Sequence, residues 1–388
     1  MQTAAATDER LLREAVTAVC ERFPSGYWRK LDTAGEYPTE FVDALSQAGW
    51  LGMLVPEEHG GAGLGIREAS VVLEEINRSG GNSAACHAQM YIVAALVRHG
   101  SDYQQQRHLP DIAAGRLRLQ AFGVTEPSAG SETTRIQTFA RRAGDRYVIN
   151  GQKIWTSRAA HSDLMLLLAR TTPYDELADK TRGLSLFIVD LRAAVPAGQV
   201  TIRPIETMLN HATTEVFIND LEVPAADLVG EEGMGFRYVI DGWNAERILI
   251  AAECIGDGRW FIERAVAYAR ERVVFGRPIG QNQGVQFPIA RSHAALEAAD
   301  LMRRRAAESF DSGAACGPQA NMAKYLAAEA SWEAANVCLD VHGGFGFARE
   351  YDVERKFRET RLYRVAPISQ NLVLAYLSQH VLGLPKSY

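Results

Sequence analysis

The hydrophobic period of this 388-residue chain changes twice, and that change limits its architecture more than any single residue does. Residues 1–117 carry apolar side chains at helical spacing, as in LLREAVTAVCERF and IREASVVLEEINRS. From residue 118 the period becomes two, and LMLLLART (164–171), GLSLFIVDL (183–191) and TEVFINDLEV (214–223) read as strands. Within this zone Asn150-Gly151, flanked by Tyr147-Val148-Ile149 and Lys153-Ile154-Trp155, predicts the type I′ turn of a hairpin. From residue 234 the helical period returns, through NAERILIAAECIGDG, AALEAADLMRRRAAESFDSG and ANMAKYLAAEASWEAANVCLDVHGG, with a tail helix after Ile368. Helices, then strands, then helices imply a segregated α+β chain rather than an alternating parallel sheet. The expected domains are helical (1–117), β (118–233) and helical again (234–388), since one hydrophobic core rarely serves so long a chain.

The net charge of −6 leaves no basic excess to neutralise phosphates, which argues against a nucleic-acid protein. No run approaches the ~20 apolar residues that span a bilayer. The opening MQTAAATDERLLREAV has acidic residues early and no apolar stretch, unlike a signal peptide. Five scattered cysteines without a CxxC pair read as reduced thiols of a cytoplasmic protein. No metal-ligand spacing, Walker loop or nucleophile elbow occurs.

Five stretches could carry chemistry. Val124-Thr125-Glu126-Pro127-Ser128-Ala129-Gly130-Ser131-Glu132 offers hydroxyls and main-chain N–H groups for a ring or phosphate, or is simply a turn. Trp155-Thr156-Ser157 sets an aromatic beside two hydroxyls, fit to flank a cofactor ring or to pack in a strand. In Trp243–Ala252 the helix is apolar nearly all round, so Glu246 and Arg247 should be buried. Desolvation makes such a carboxylate a better proton acceptor, although a structural ion pair, with Arg247 or a neighbouring helix, is the commoner explanation of a buried carboxylate. Arginines in Arg270–Gln283 could grip a pyrophosphate or merely complement a helix end. His342-Gly343-Gly344-Phe345-Gly346-Phe347 lets a ligand approach the backbone, or ends a helix.

Taken together and in this order, TEPSAGSE, NGQKIWTS, AERILIAAE, ERVVFGRPIGQNQGVQ and HGGFGF resemble the acyl-CoA dehydrogenase family over nearly the whole chain. The resemblance implies a fold of N-terminal helical domain, β-barrel-like middle domain and C-terminal four-helix bundle that binds FAD as a homotetramer or homodimer. By position, Val124, Thr125, Gly130, Ser131, Trp155 and Ser157 would hold the flavin in one subunit, with Ser369 also at the cofactor. Arg272, Phe275, Gln283, Gly343 and Gly344 would reach the ADP half of FAD from the neighbouring subunit. Asp340 falls where the family commonly has a Gln that contacts the cofactor.

Many members carry the catalytic Glu near the C-terminus; here Leu362-Tyr363-Arg364-Val365-Ala366-Pro367-Ile368-Ser369-Gln370 offers Ala366 or Pro367 at that place. A branch that includes isovaleryl-CoA and long-chain dehydrogenases has its Glu on the earlier helix, and Glu246 matches that position, followed by Arg247 for substrate or CoA. The implied reaction is α,β-dehydrogenation of an acyl-CoA. Glu246 acts as base, Ser131 and Arg247 bind substrate, and a main-chain N–H near Ala366 binds the thioester oxygen. An electron-transfer flavoprotein would take the electrons, and an acyl carrier protein could replace CoA. Alternatives are an acyl-CoA oxidase, other flavin chemistry on the same fold, or a non-catalytic FAD-binding subunit. His211, in a stretch that is usually Gly-rich and basic, has no role legible from sequence.

Overall fold

A computed structural model describes residues 2–386. Six helices open the chain: α1 (Gln2–Cys20), α2 (Ser25–Ala34), α3 (Thr39–Gln47), α4 (Ile66–Arg78), α5 (Ala84–His99) and α6 (Asp102–Ala113). The strands are β1 (Leu119–Gly123), β2 (Phe139–Ala143), β3 (Arg146–Ser157), β4 (Leu164–Arg170), β5 (Leu184–Asp190), β6 (Val200–Pro204), β7 (Thr213–Pro224) and β8 (Leu228–Val229), with the short α7 (Leu191–Ala194) after β5. Then come α8 (Gly235–Glu271), the two-residue strands β9 (Val273–Val274) and β10 (Arg277–Pro278), α9 (Gln283–Asp311), α10 (Gly317–His342), α11 (Val353–Arg361) and α12 (Gln370–Tyr376). The helical, β and helical order expected from the period is therefore the order observed.

These elements form two compact units. One comprises residues 35–64 and 84–243, the sheet with α3, α5 and α6. Its strand order is β6-β7-β3-β2-β4-β5-β8, with β1 also paired to β4 in parallel. β4 is buried at every position because both its faces are covered. Leu164, Leu166 and Leu168 join a core with Ile92, Leu96 and Leu109, whereas Met165, Leu167 and Ala169 join another with Tyr147, Phe187 and Val216. Such double burial explains why its sequence reads as an unbroken apolar run. α6 begins with a capping box: Gln104 N–H donates to Ser101 Oγ (3.3 Å) and Ser101 N–H to Gln104 Oε1 (3.0 Å).

The Asn150-Gly151 hairpin is corrected. β2 and β3 turn at Gly144-Asp145, where Gly144 takes φ +67°, and Ala143 pairs with Arg146. Asn150 and Gly151 lie inside β3, at a register irregularity against β7. There the Asn150 side chain pairs with Asp220, accepting from its N–H (2.8 Å) and donating to its Oδ1 (3.0 Å). Gly151 passes so close to Thr138 that a Cβ would lie 2.7 Å from its Cα. The dipeptide supplies a bulge and a close approach rather than a turn.

The other unit holds residues 1–34, 65–83 and 244–388. Its helices pack through small residues, including Ala320, Ala323, Ala327, Ala328, Ala334 and Ala335 of α10, all at 1% exposure or less. Asp311 at the end of α9 caps α4, accepting from Ile66 N–H (2.8 Å) and Arg67 N–H (2.9 Å). The fully buried Glu74 of α4 pairs with Arg13 (2.9 Å), Arg303 (3.1 Å) and Arg259 of α8. This network of alternating charges anchors α8, the helix that carries Glu246.

Candidate active site

In the sheet unit, the loop after β1 is clamped to β3 by a buried ion pair. Lys153 is fully buried and its Nζ donates to Glu126 Oε1 and to the Val124 carbonyl, both at 2.9 Å. Glu126 also accepts from Gln137 N–H (2.6 Å) and Thr138 N–H (2.8 Å), and Ile154 N–H donates to the Thr125 carbonyl (2.9 Å). Burial pushes the Glu126 carboxyl up, but Lys153 and these donors more than offset it and leave it below its ordinary value. The same burial pulls Lys153 down to about 8.

With the loop so held, Gly130 and Ser131 remain exposed, and a Cβ on Gly130 would meet nothing within 4 Å. Val124 and Thr125 are half-buried. A second register shift between Lys153 and Thr156 puts Trp155 at φ +60° and leaves it 57% exposed. A bulge re-aims a strand side chain in this way. Ser157 follows, half-buried, with its Oγ 3.4 Å from Thr213 Oγ1. The structure therefore brings Val124, Thr125 and Trp155 together through the Thr125–Ile154 hydrogen bond.

Immediately after β3, Arg158 adopts φ +62° and donates its N–H to the carbonyl of Ala212, which has φ +48°. The Arg158 guanidinium lies 3.3 Å from His211 Nε2. Burial, then the charges of Arg158 and His87, hold the His211 imidazole well below its ordinary value. His211 is thus a neutral partner of a buried cation.

In the helical unit, Glu246 is 7% and Arg247 8% exposed on α8, among Ala245, Ile248, Leu249 and Ile250. Arg247 donates to Asn244 Oδ1 (3.2 Å). Burial lowers its guanidinium from the ordinary value, with Glu246, Tyr376 and Cys316 opposing. The β9–β10 turn puts Phe275 (φ +52°) fully into solvent, and Gln283 is exposed at the start of α9. Arg272 lies 5.7 Å from the Phe345 ring, so the Arg272 and His342–Phe347 motifs meet. A Cβ on Gly343 or Gly344 would meet nothing within 4 Å, so both backbones are open to a ligand. His342 is a structural residue: it stacks on Tyr268 at 4.3 Å, and its Nδ1 lies 2.8 Å from the Cys338 carbonyl. Asp340 is exposed on the last turn of α10.

Two expected site residues near the C-terminus also make local hydrogen bonds. Ala366 N–H donates to the Leu362 carbonyl (2.9 Å), as does Val365 N–H (2.8 Å), so the helical turn has already taken up the donor expected to meet the substrate. Ser369 caps α12, its Oγ accepting from Leu372 N–H at 3.4 Å. Sequence reasoning missed Lys153, whose signal was its inward parity with Tyr147 and Ile149 in β3. It also missed Arg158, for which no local signal existed.

Within the sheet unit, an exposed indole beside hydroxyls and the open backbone of Gly130 fits a planar ligand. No group of three or more His, Cys, Asp or Glu able to hold a metal occurs among the described residues. Nor is any described helix long and apolar enough to cross a membrane.

The chain matches the N-terminal, middle and C-terminal domains of acyl-CoA dehydrogenases over residues 6–116, 121–221 and 233–367. It is 36% identical over 384 residues to the acyl-CoA dehydrogenase fadE12 of Mycobacterium bovis, covering 98% of this chain and 97% of that one. Among solved structures it resembles a glutaryl-coenzyme A dehydrogenase in complex with glutaryl-CoA (28% identity, TM-score 0.89, 98% and 96% covered). It also resembles butyryl-CoA dehydrogenase from Megasphaera elsdenii (25% identity, TM-score 0.90, 96% and 98% covered). The chain belongs to the acyl-CoA dehydrogenase family, FAD-binding oxidoreductases.

Proposed function

We propose that this enzyme removes the α-proton and β-hydride of an acyl-CoA thioester, with Glu246 as the base. The observation that carries the reading is a carboxylate buried on apolar α8 beside Arg247, in a chain whose C-terminal segment offers only Ala366 and Pro367 where an acid would otherwise stand. Apolar surroundings favour proton uptake by a carboxylate and keep water from the reacting carbon. FAD, when bound, supplies the acceptor for the β-hydride.

Val124, Thr125, Gly130, Ser131, Trp155 and Ser157 hold the flavin, with Trp155 laid against its ring and Ser369 at the cofactor. Ser131 and Arg247 bind the acyl-CoA. Arg272, Phe275, Gln283, Gly343 and Gly344 reach the ADP half of a neighbouring subunit's cofactor in a homodimer or homotetramer. The fully exposed Phe275 on a tight turn supports that assembly, since such an aromatic is costly to leave in water. The domains are 1–117, 118–233 and 234–388. Five buried free cysteines suit the reducing cytoplasm, where an electron-transfer flavoprotein takes the electrons.

The test is a panel of straight, branched, aryl and dicarboxylic acyl-CoAs with an artificial electron acceptor. A product two hydrogens lighter than its substrate supports the reading. No such product from any acyl-CoA removes it, and peroxide formed at the turnover rate without another acceptor identifies an oxidase instead.

A further inference from the structure

The end of β3 is strained. Trp155 (φ +60°) and Arg158 (φ +62°) take left-handed backbone conformations, and so does Ala212 (φ +48°) just before β7. Such conformations are costly for residues other than glycine and persist only where the surroundings hold them. Trp155 also lies inside the register shift between Lys153 and Thr156. Residues 211–214 supply much of the hold. Arg158 N–H donates to the Ala212 carbonyl (2.7 Å), and Thr214 Oγ1 donates to the Thr156 carbonyl (2.6 Å). Ser157 Oγ lies 3.4 Å from Thr213 Oγ1.

Side chains cross the same gap. Arg158 Nη1 lies 3.3 Å from His211 Nε2. Arginine carries donors only, so the imidazole nitrogen accepts and the ring proton sits on Nδ1. A doubly protonated ring could not accept, and it would set two cations side by side. Burial, then the charges of Arg158 and His87, keeps the imidazole neutral.

A guanidinium only 8% exposed needs hydrogen-bond acceptors, and His211 is one of them. The same Arg158 gives its main-chain N–H to the next residue, Ala212, and its carbonyl accepts from His161 N–H (3.0 Å). Side chain and backbone of Arg158 are thus both tied to the 211–212 turn. Arg158 directly follows Ser157 and stands three residues after Trp155, so whatever fixes it fixes the direction in which β3 ends.

We propose that His211 is a positioning residue of the flavin site: as a neutral acceptor it fixes Arg158 against the 211–214 segment, and so sets the strained backbone that presents Trp155 and Ser157 to the flavin. The proposal rests on the flavin contacts assigned above to Trp155 and Ser157.

The test compares His211→Leu, which removes the acceptor, with His211→Gln, which keeps one. The readouts are FAD affinity by fluorescence titration of the full chain and the visible circular dichroism of bound flavin, which a merely structural role would not move. His211→Leu should weaken FAD binding about tenfold, the effect of one net hydrogen bond, and alter the flavin spectrum. His211→Gln should return both toward wild type. Adding Trp155→Ala to His211→Leu should cost less than the sum of the two single effects, because residues acting through one another are not additive. Wild-type affinity and spectrum in His211→Leu overturn the proposal, and so does a His211→Gln protein that loses as much as His211→Leu. Full additivity overturns the route through Trp155. If His211→Leu does not fold, Arg158→Met removes the other partner and carries the same expectation and the same overturning result. Unchanged FAD affinity in Trp155→Ala sinks the flavin contact and this proposal together; weakened binding in Trp155→Ala beside an unaffected His211→Leu sinks this proposal alone.

Discussion

Lys153→Met should be the most damaging single substitution in the sheet unit that leaves every proposed cofactor contact in place. The methionine fills the lysine's volume but removes two 2.9 Å hydrogen bonds, one to the Val124 carbonyl and one to Glu126. A net hydrogen bond is worth about 1 kcal/mol, and removing one partner of a buried ion pair costs about 3–5 kcal/mol. Glu126 keeps its two main-chain donors, which softens the loss, so about 3 kcal/mol is the expected total. The loop that carries Gly130 and Ser131 hangs on the same clamp, so FAD should dissociate more readily. Denaturant unfolding of the FAD-free protein and fluorescence titration with FAD measure the two effects. Lys153→Met combined with Glu126→Gln should recover more than half of the lost stability, because the stranded charge is gone. The reasoning is refuted if the single variant is neutral to within about 0.5 kcal/mol, or if the double variant loses the sum of two independent penalties.

Three further outcomes follow from other parts of the chain. Burial, with help from Arg107, holds the His108 imidazole at about 4. The unfolded chain takes up that proton near pH 6.5, so stability should fall as pH drops from about 6.5 to 4, by at most about 3 kcal/mol. Thermal scans across that range should show a flatter acid limb in His108→Gln. Trp155→Ala, at a position 57% exposed, should leave FAD-free stability within about 0.5 kcal/mol of wild type yet weaken FAD binding measurably by titration. Gly151→Ala should destabilise by about 1–3 kcal/mol in denaturant melts, since its Cβ would lie 2.7 Å from Thr138 Cα.

The parts of the fold set by local pattern were legible. β4 and β5 announced themselves as apolar runs because sheet strands covered on both faces need no polar positions. Glu246 stood out because α8 is apolar nearly all round there, with Arg247 as its neighbouring charge. Asn150-Gly151 misled because a positive-φ dipeptide signals a turn only when the chain must reverse there; here β7 runs alongside and the residues make a bulge instead. The resemblance implied a ligand-facing N–H near Ala366; that this N–H closes the turn after α11 on Leu362 is a detail no sequence pattern reveals. Arg158 and His211 are 53 residues apart, and only the β3–β7 pairing brings them together.

The central claim is that Glu246 takes the α-proton. Its most direct test is rapid mixing of FAD-loaded Glu246→Gln enzyme with a good acyl-CoA substrate, following flavin absorbance through one turnover. Gln keeps the shape and removes the base, so FAD should stay bound while reduction slows by about 10²–10⁴-fold. Reduction at the wild-type rate would contradict the claim and assign proton removal to another group.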